Sequence, residues 1–213
     1  IGISNPIEVA GGPFKQIRAD VARITASTDG KITIAPGLMS VGQGHETTVT
    51  RVASDLLGVS ADMIVYAQGD TNLLPTGRGN GGSAATVVGV SAVKIALDYF
   101  IADGGAIAAA ALGWGAENLA YADGIFSAPD GQKMTWADIA RHSNKAGGHS
   151  VLGKFAPPDV TYPNGCHICE VEIDPKTGKV EFCDYLVVED VGTVLSPDLV
   201  EGQMHGGVAQ GIG

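Results

Sequence analysis

A chain of 213 residues with 45% hydrophobic and only 17% charged residues can bury a sizeable core, as one large domain or two small ones. A formal net charge of -10 and a pI near 4.7 exclude a surface built for nucleic acid or for an anionic membrane, because an acidic body repels phosphate chains at long range. The richest apolar stretch, residues 87–112, is interrupted by Lys94, Asp98, Asp103 and several glycines, so no membrane span is expected.

In chain order, the opening Ile1-Gly2-Ile3-Ser4-Asn5-Pro6 lacks an initiator Met and the layout of a signal peptide, and it reads as internal to a longer chain. The other edge, Gly211-Ile212-Gly213, reads the same way. Residues Gln16 to Ala26 carry Ile17, Ala19, Val21 and Ile24 between polar partners, and Thr28-Asp29-Gly30-Lys31 then turns into Ile32-Thr33-Ile34, a hairpin. Thr47 to Gly58 places Val49, Val52, Ala53, Leu56 and Leu57 at helical spacing with Gly58 as the stop. A short strand at Met63 to Ala67 precedes a glycine-rich loop, and Ser83 is expected to open a long apolar helix reaching Ile101 or beyond.

A second hairpin region falls at Asn118 to Ser127, and a short helix capped by Thr135 follows. Ser143 to Pro163, rich in Gly, Pro and Lys, is expected to be a surface connection, with His142 and His149 solvated. Gly165 to Ile173, the turn Asp174 to Gly178, and Lys179 to Val188 form a third hairpin, with Asp190 orienting the turn into a helix that Ser196-Pro197 starts. Strands and helices mix without regular βαβ alternation, which gives an α+β class. The expected lobes are 1–142, a connection 143–163, and a truncated hairpin-plus-helix lobe 164–213. Trp114 and Trp136 are expected to be packing anchors. Three cysteines, Cys166, Cys169 and Cys183, suit a reducing cytoplasm; no second ligand pair accompanies Cys166 and Cys169, so ordinary strand packing is expected of them.

Three segments carry chemistry. In Val41-Gly42-Gln43-Gly44-His45-Glu46-Thr47-Thr48, glycines permit close backbone approach and the helix start offers free N–H groups, either as a phosphate cradle or as a plain capped helix. Gln43 adds an amide able both to donate and to accept. Gly77-Arg78-Gly79-Asn80-Gly81-Gly82 satisfies G-x-G-x-x-G, but about ten loop residues separate it from the strand ending at Ala67, which argues against a nicotinamide-dinucleotide fold. What remains is a second helix start near Ser83. In Glu201 to Gly213, Gln203 and Gln210 are seven apart and share a helix face, and the dense glycines suit close contact with a ligand or with another backbone.

These segments occur in order with Tyr162-Pro163-Asn164-Gly165-Cys166-His167 and Glu170-Val171-Glu172-Ile173-Asp174 between them. Together they resemble the molybdopterin-binding large subunit of the xanthine dehydrogenase, aldehyde oxidase and aerobic carbon monoxide dehydrogenase family, over nearly the whole chain. The resemblance implies a molybdenum-molybdopterin cofactor in its cytosine dinucleotide form, a small-molecule substrate hydroxylated at carbon, and [2Fe-2S] and FAD centres on partner subunits or domains. By position it implies that Gln43, Gly44, His45, Glu46 and Thr47 line the pterin and phosphate side. Gly82, Ser83 and Thr86 would hold the dinucleotide part, and Gln210 would lie near the pterin with Gln203 supporting it. Ala84 departs from the arginine common in the family, and the family's catalytic Gly-Glu-Pro segment lies downstream of the motif at Gln210 to Gly213, so no catalytic residue is assigned here. The other reading left open is a non-catalytic binding or assembly module on the same scaffold.

Overall fold

The computed structural model describes residues 1–12, 19–143 and 147–213. Residues 13–18, including Ile17 of the expected first strand, and residues 144–146 of the expected connection lie outside that description.

The larger part is built on a four-stranded sheet of order β4-β3-β2-β8, with β2 at Asp20–Ala26, β3 at Ile32–Pro36, β4 at Ile64–Tyr66 and β8 at His149–Phe155. Strand β2 pairs antiparallel with β3 and β8, whereas β4 runs parallel to β3. The alternation of β2 buries Asp20, Ala22, Ile24 and Ala26 and leaves Val21, Arg23 and Thr25 half-buried on the other face. Gly30, at φ 90, makes the β2–β3 turn, and its N–H bonds the Ser27 carbonyl.

Helix α1 (His45–Leu57) buries Val49, Ala53 and Leu57, one position per turn, while Leu56 of the expected stripe is exposed. The helix ends on Gly58 in the left-handed region at φ 63. The long apolar helix begins later and less regularly than its sequence suggests: a π-helical turn at Ala85–Val90 leads into α2 (Ser91–Leu112). Residues Ala85–Leu112 are long and apolar enough to cross a membrane by length and composition, yet half of the most apolar window is buried inside the fold. Ala92, Val93, Ala96, Leu97 and Phe100, all fully buried, make α2 the central core helix.

A three-stranded meander, β5 (Ala120–Ala122), β6 (Ile125–Ser127) and β7 (Lys133–Thr135), leads into α3 (Trp136–His142). Thr135 caps α3 in a reciprocal box with Asp138. Trp136 is 1% exposed and stacks on Phe100 at 4.1 Å, which is the anchoring role expected of it. Trp114 differs: it is 37% exposed and its indole N–H bonds Asp130 Oδ2 at 3.2 Å. The expected surface connection also differs, because residues 149–155 form β8 inside the main sheet. Gly153 allows this: a Cβ there would stand 2.4 Å from the Ala96 amide nitrogen, so β8 lies directly against α2. His149, expected to be solvated, is fully buried and stacks on Phe100 at 4.8 Å.

The remaining residues form a second sheet of order β1-β9-β10, from β1 (Gly2–Ser4), β9 (Asn164–Ile173) and β10 (Val180–Asp190), all antiparallel. The first residues therefore pair with the late hairpin rather than with the early lobe. The chain ends in α4 (Pro197–Ile212), one unbroken helix despite Gly202, Gly206 and Gly207. Asp190 Oδ1 accepts the Gly192 N–H at 2.9 Å, which fixes the turn before it.

Candidate functional site

Two loops leave the C-terminal ends of the parallel pair β3 and β4, and each leads to a helix: residues 37–44 to α1, and residues 67–84 to the π turn and α2. They are fastened together along their length. Leu38 and Gly79 form a parallel bridge, and the Gly79 N–H donates to the Gly37 carbonyl at 2.8 Å. A Cβ on Gly77 would sit 2.7 Å from the Gly37 Cα, and one on Gly89 2.6 Å from the Leu38 side chain. Glycine is required at these points by backbone-to-backbone contact.

Between the loops lies a hollow of about 220 Å³, lined by Gly37, Gly69, Gly77 and Gly79 together with Asp70, Thr71 and Thr76 among others. A second hollow of about 340 Å³ lies across the Thr76–Gly77 wall, bordered by Asp20, Arg78 and Lys154. Neither is lined by the ten residues singled out from the sequence.

Those ten occupy three places. Gln43 sits in the turn before α1, where its Oε1 accepts the Val41 N–H and its Nε2 donates to the Met39 carbonyl. In this conformation its amide stiffens its own turn. Gly44 is the N-terminal cap in the left-handed region, φ 81, and the first N–H groups of α1 beyond it have no intrahelical acceptor. His45 is buried, and that burial pushes its imidazole pKa down, so the ring stays neutral. Glu46 and Thr47 are exposed on the first turn.

Gly82 and Ser83 are exposed, with Ser83 at φ 48, a left-handed conformation uncommon for a non-glycine residue. Ser83 does not cap the helix that follows, as its sequence position suggested. The cap position is Ala84, with no side-chain bond, and Thr86 is exposed within the π turn. Gln203 and Gln210 are exposed on α4. That helix meets α1 through Leu199: a Cβ on Gly44 would lie 2.8 Å from both Leu199 methyl carbons. The first and third sequence segments are thereby brought together, while the second is joined to the first through the Gly37–Gly79 contact.

One anchoring residue went unnoticed in the sequence. Gln68 Oε1 accepts the Ser40 N–H at 2.7 Å and the Tyr66 hydroxyl at 3.0 Å, and its Nε2 donates to the Ser40 carbonyl at 3.1 Å. It ties the end of β4 to the turn holding Gln43. Burial, and then the nearby Glu46 carboxylate, pushes the Tyr66 hydroxyl pKa up to about 12, which keeps it a proton donor. Among the described residues no group of three or more His, Cys, Asp and Glu side chains is arranged to hold a metal ion.

Comparison with known proteins bears on the family of the chain. The carbon monoxide dehydrogenase large chain of Hydrogenophaga pseudoflava is 32% identical over 99% of this chain, and the nicotine 6-hydroxylase large subunit of Paenarthrobacter nicotinovorans is 34% identical over all of it. This chain spans 28% of the length of each. The solved carbon monoxide dehydrogenase of Oligotropha carboxidovorans superposes with a TM-score of 0.83 at 31% identity, over 97% of this chain and 28% of that one. The family model for the molybdopterin cofactor-binding domain matches residues 1–213, and the chain belongs to that family.

Proposed function

We propose that this chain forms part of the cofactor-binding subunit of a molybdenum hydroxylase, an oxidoreductase that hydroxylates a carbon of an aldehyde, an N-heterocycle or a similar small molecule with water-derived oxygen. The observation that carries the reading is the fastening of the two pre-helix loops at Gly37, Leu38, Gly77 and Gly79, which makes the start of α1 and the approach to α2 one continuous surface.

The residues present fit a large, phosphate-bearing cofactor. Backbone amides at the start of α1 favour an anion, and the space where a Cβ would go is open at Gly42, Gly79 and Gly81. Gly44, Glu46 and Thr47 would meet the pterin and phosphate side, with Gln43 and the neutral His45 holding that turn in shape. Gly82, Ser83 and Thr86 would meet the dinucleotide side, the cytosine form being the one proposed. Gln203 and Gln210 on α4, docked at Gly44 through Leu199, would approach the pterin. When bound, the molybdenum group supplies the two-electron redox chemistry, and the residues of this chain bind and orient it. Electrons would pass to [2Fe-2S] and FAD centres on partner subunits in the cytoplasm.

Elemental analysis of the intact enzyme containing this chain tests the reading. About one molybdenum per large subunit is expected, with a cytidine nucleotide released on acid hydrolysis. An active preparation without molybdenum overturns it.

A further inference from the structure

A row of hydrogen bonds runs behind the exposed Ser83. Asp20, 2% exposed at the start of β2, uses Oδ1 to accept the N–H of Val21 at 2.9 Å and that of Arg78, 58 residues away, at 3.0 Å. The guanidinium of Arg78 turns the other way, and its Nη1 donates to the Gly11 carbonyl at 3.0 Å. Gly11 in turn donates its N–H to the Ser83 carbonyl at 3.0 Å. The space is fitted closely: a Cβ on Gly37 would stand 2.0 Å from Asp20 Oδ1, and one on Gly12 2.7 Å from the Arg78 guanidinium.

We infer that Asp20 and Arg78 are positioning residues that hold Ser83 in its left-handed conformation from behind, through Gly11, and so present the loop before α2 to the cofactor. This rests on the proposed cofactor-binding role of Ser83. Two further observations support it. A left-handed serine persists only where its surroundings over-determine it, and the Ser83 carbonyl is held by this row. Among the described residues Asp20 Oδ2 is buried without a hydrogen-bond partner, which burdens the fold, whereas Oδ1 alone satisfies both backbone donors. Burial pushes the Asp20 carboxyl pKa up, and the N–H bonds from Val21 and Arg78, then the Arg78 charge, work against that rise, so the role rests on the hydrogen bonds.

The test uses the full-length large subunit in its assembled enzyme and follows the rate at which molybdenum and pterin nucleotide are released on mild warming. Hydrogen exchange of residues 79–86 in cofactor-free protein is read alongside. Asp20→Ala and Arg78→Ala are expected to release cofactor about tenfold faster, the lower end of what loss of an outer supporting partner costs a bound group. Both should also exchange faster at residues 79–86. Asp20→Asn, whose amide oxygen can accept the same two N–H bonds, should return toward the wild-type rate. Met134→Ala, a buried change in β7 on a different sheet, supplies a variant of lowered stability that should release at the wild-type rate.

If Asp20→Ala does not fold, the half-buried Arg78 carries the comparison. Wild-type release from the Ala variants overturns the inference, as does an Asn variant as leaky as the Ala one, or a Met134→Ala protein that leaks equally. Ser83→Leu separates the two levels. Fast release from it beside wild-type release from Asp20→Ala and Arg78→Ala removes only the positioning row. Wild-type release from Ser83→Leu as well removes the cofactor-binding role of the loop.

Discussion

Gly37, which the second loop meets through Gly77 and Gly79, also lies against β2, where a methyl group on it would stand 2.0 Å from Asp20 Oδ1 and 2.9 Å from the Val21 carbonyl. Neither neighbour is the free end of a flexible chain, so Gly37→Ala should destabilise by about 3 kcal/mol, the upper end of overpacking costs, read as a lower urea midpoint at unchanged slope. His45 gives a pH dependence. Its folded-state pKa lies below the ordinary 6.5, so the unfolded chain takes up a proton first as pH falls. The stability tied to the neutral ring is whole above 6.5, declines as pH drops from there toward the folded-state value, and is gone below it. His45→Gln should show a shallower fall of the urea midpoint across that window than the parent chain; an equal slope in both removes the assignment. The glycines and the helix start around His45 were legible in the sequence, because they are local signals. Asp20 and Gln68 were not, since their partners Arg78 and Ser40 lie 58 and 28 residues away and nothing in either neighbourhood marks the pairing.

Elements were legible where one period dominates. Helix α1, the hairpins and the Thr135 cap of α3 follow from spacing and turn chemistry, and Thr135→Ala should cost about 1 kcal/mol by removing the bond to the Asp138 N–H. Strand β8 was hidden because its sequence, His149 to Phe155, includes a histidine, a serine, a glycine and a lysine and sits among Gly and Pro. Its place is decided by what it meets: Gly153 fits against Ala96, and His149 fills the space beside Phe100 and Trp136. The glycines of α4 divide the two readings of their density. Among the described residues, Gly202, Gly206, Gly207 and Gly211 have open space where a Cβ would go, so they pack against no other backbone there and contact with a ligand is the reading that remains. The α4–α1 junction instead relies on Leu199 over Gly44. Leu199→Asp should therefore speed hydrogen exchange through residues 197–212 while leaving β2, β3 and α2 as protected as before. Unchanged exchange in α4 would mean that the helix is held by something other than Leu199.

At the scale of the whole molecule, the two parts are unequal in what they bury. The described core runs from Ala10 through Ala140 and draws on the main sheet, the three helices around it and the meander. The sheet β1-β9-β10 and α4 add no hydrophobic residue to it; Ile3, Phe182, Leu186 and Val188 are 49–69% exposed, and α4 buries nothing. A three-stranded sheet whose residues are exposed or only half-buried gains little from burial to offset the entropy of ordering its backbone. Backbone pairing along β9 and β10 is its main support, and such pairing opens locally at far lower free energy than the core. The 213-residue chain by itself should then unfold in two stages rather than one. Limited proteolysis at native pH should cut first in the 156–213 region and leave a resistant piece ending soon after Phe155, identified by mass spectrometry. If residues 164–213 resist as long as β2 and α2, the exposed sheet has its own source of stability. The same digestion on the full-length large subunit should show those cuts suppressed, because the relatives carry this region within chains more than three times as long.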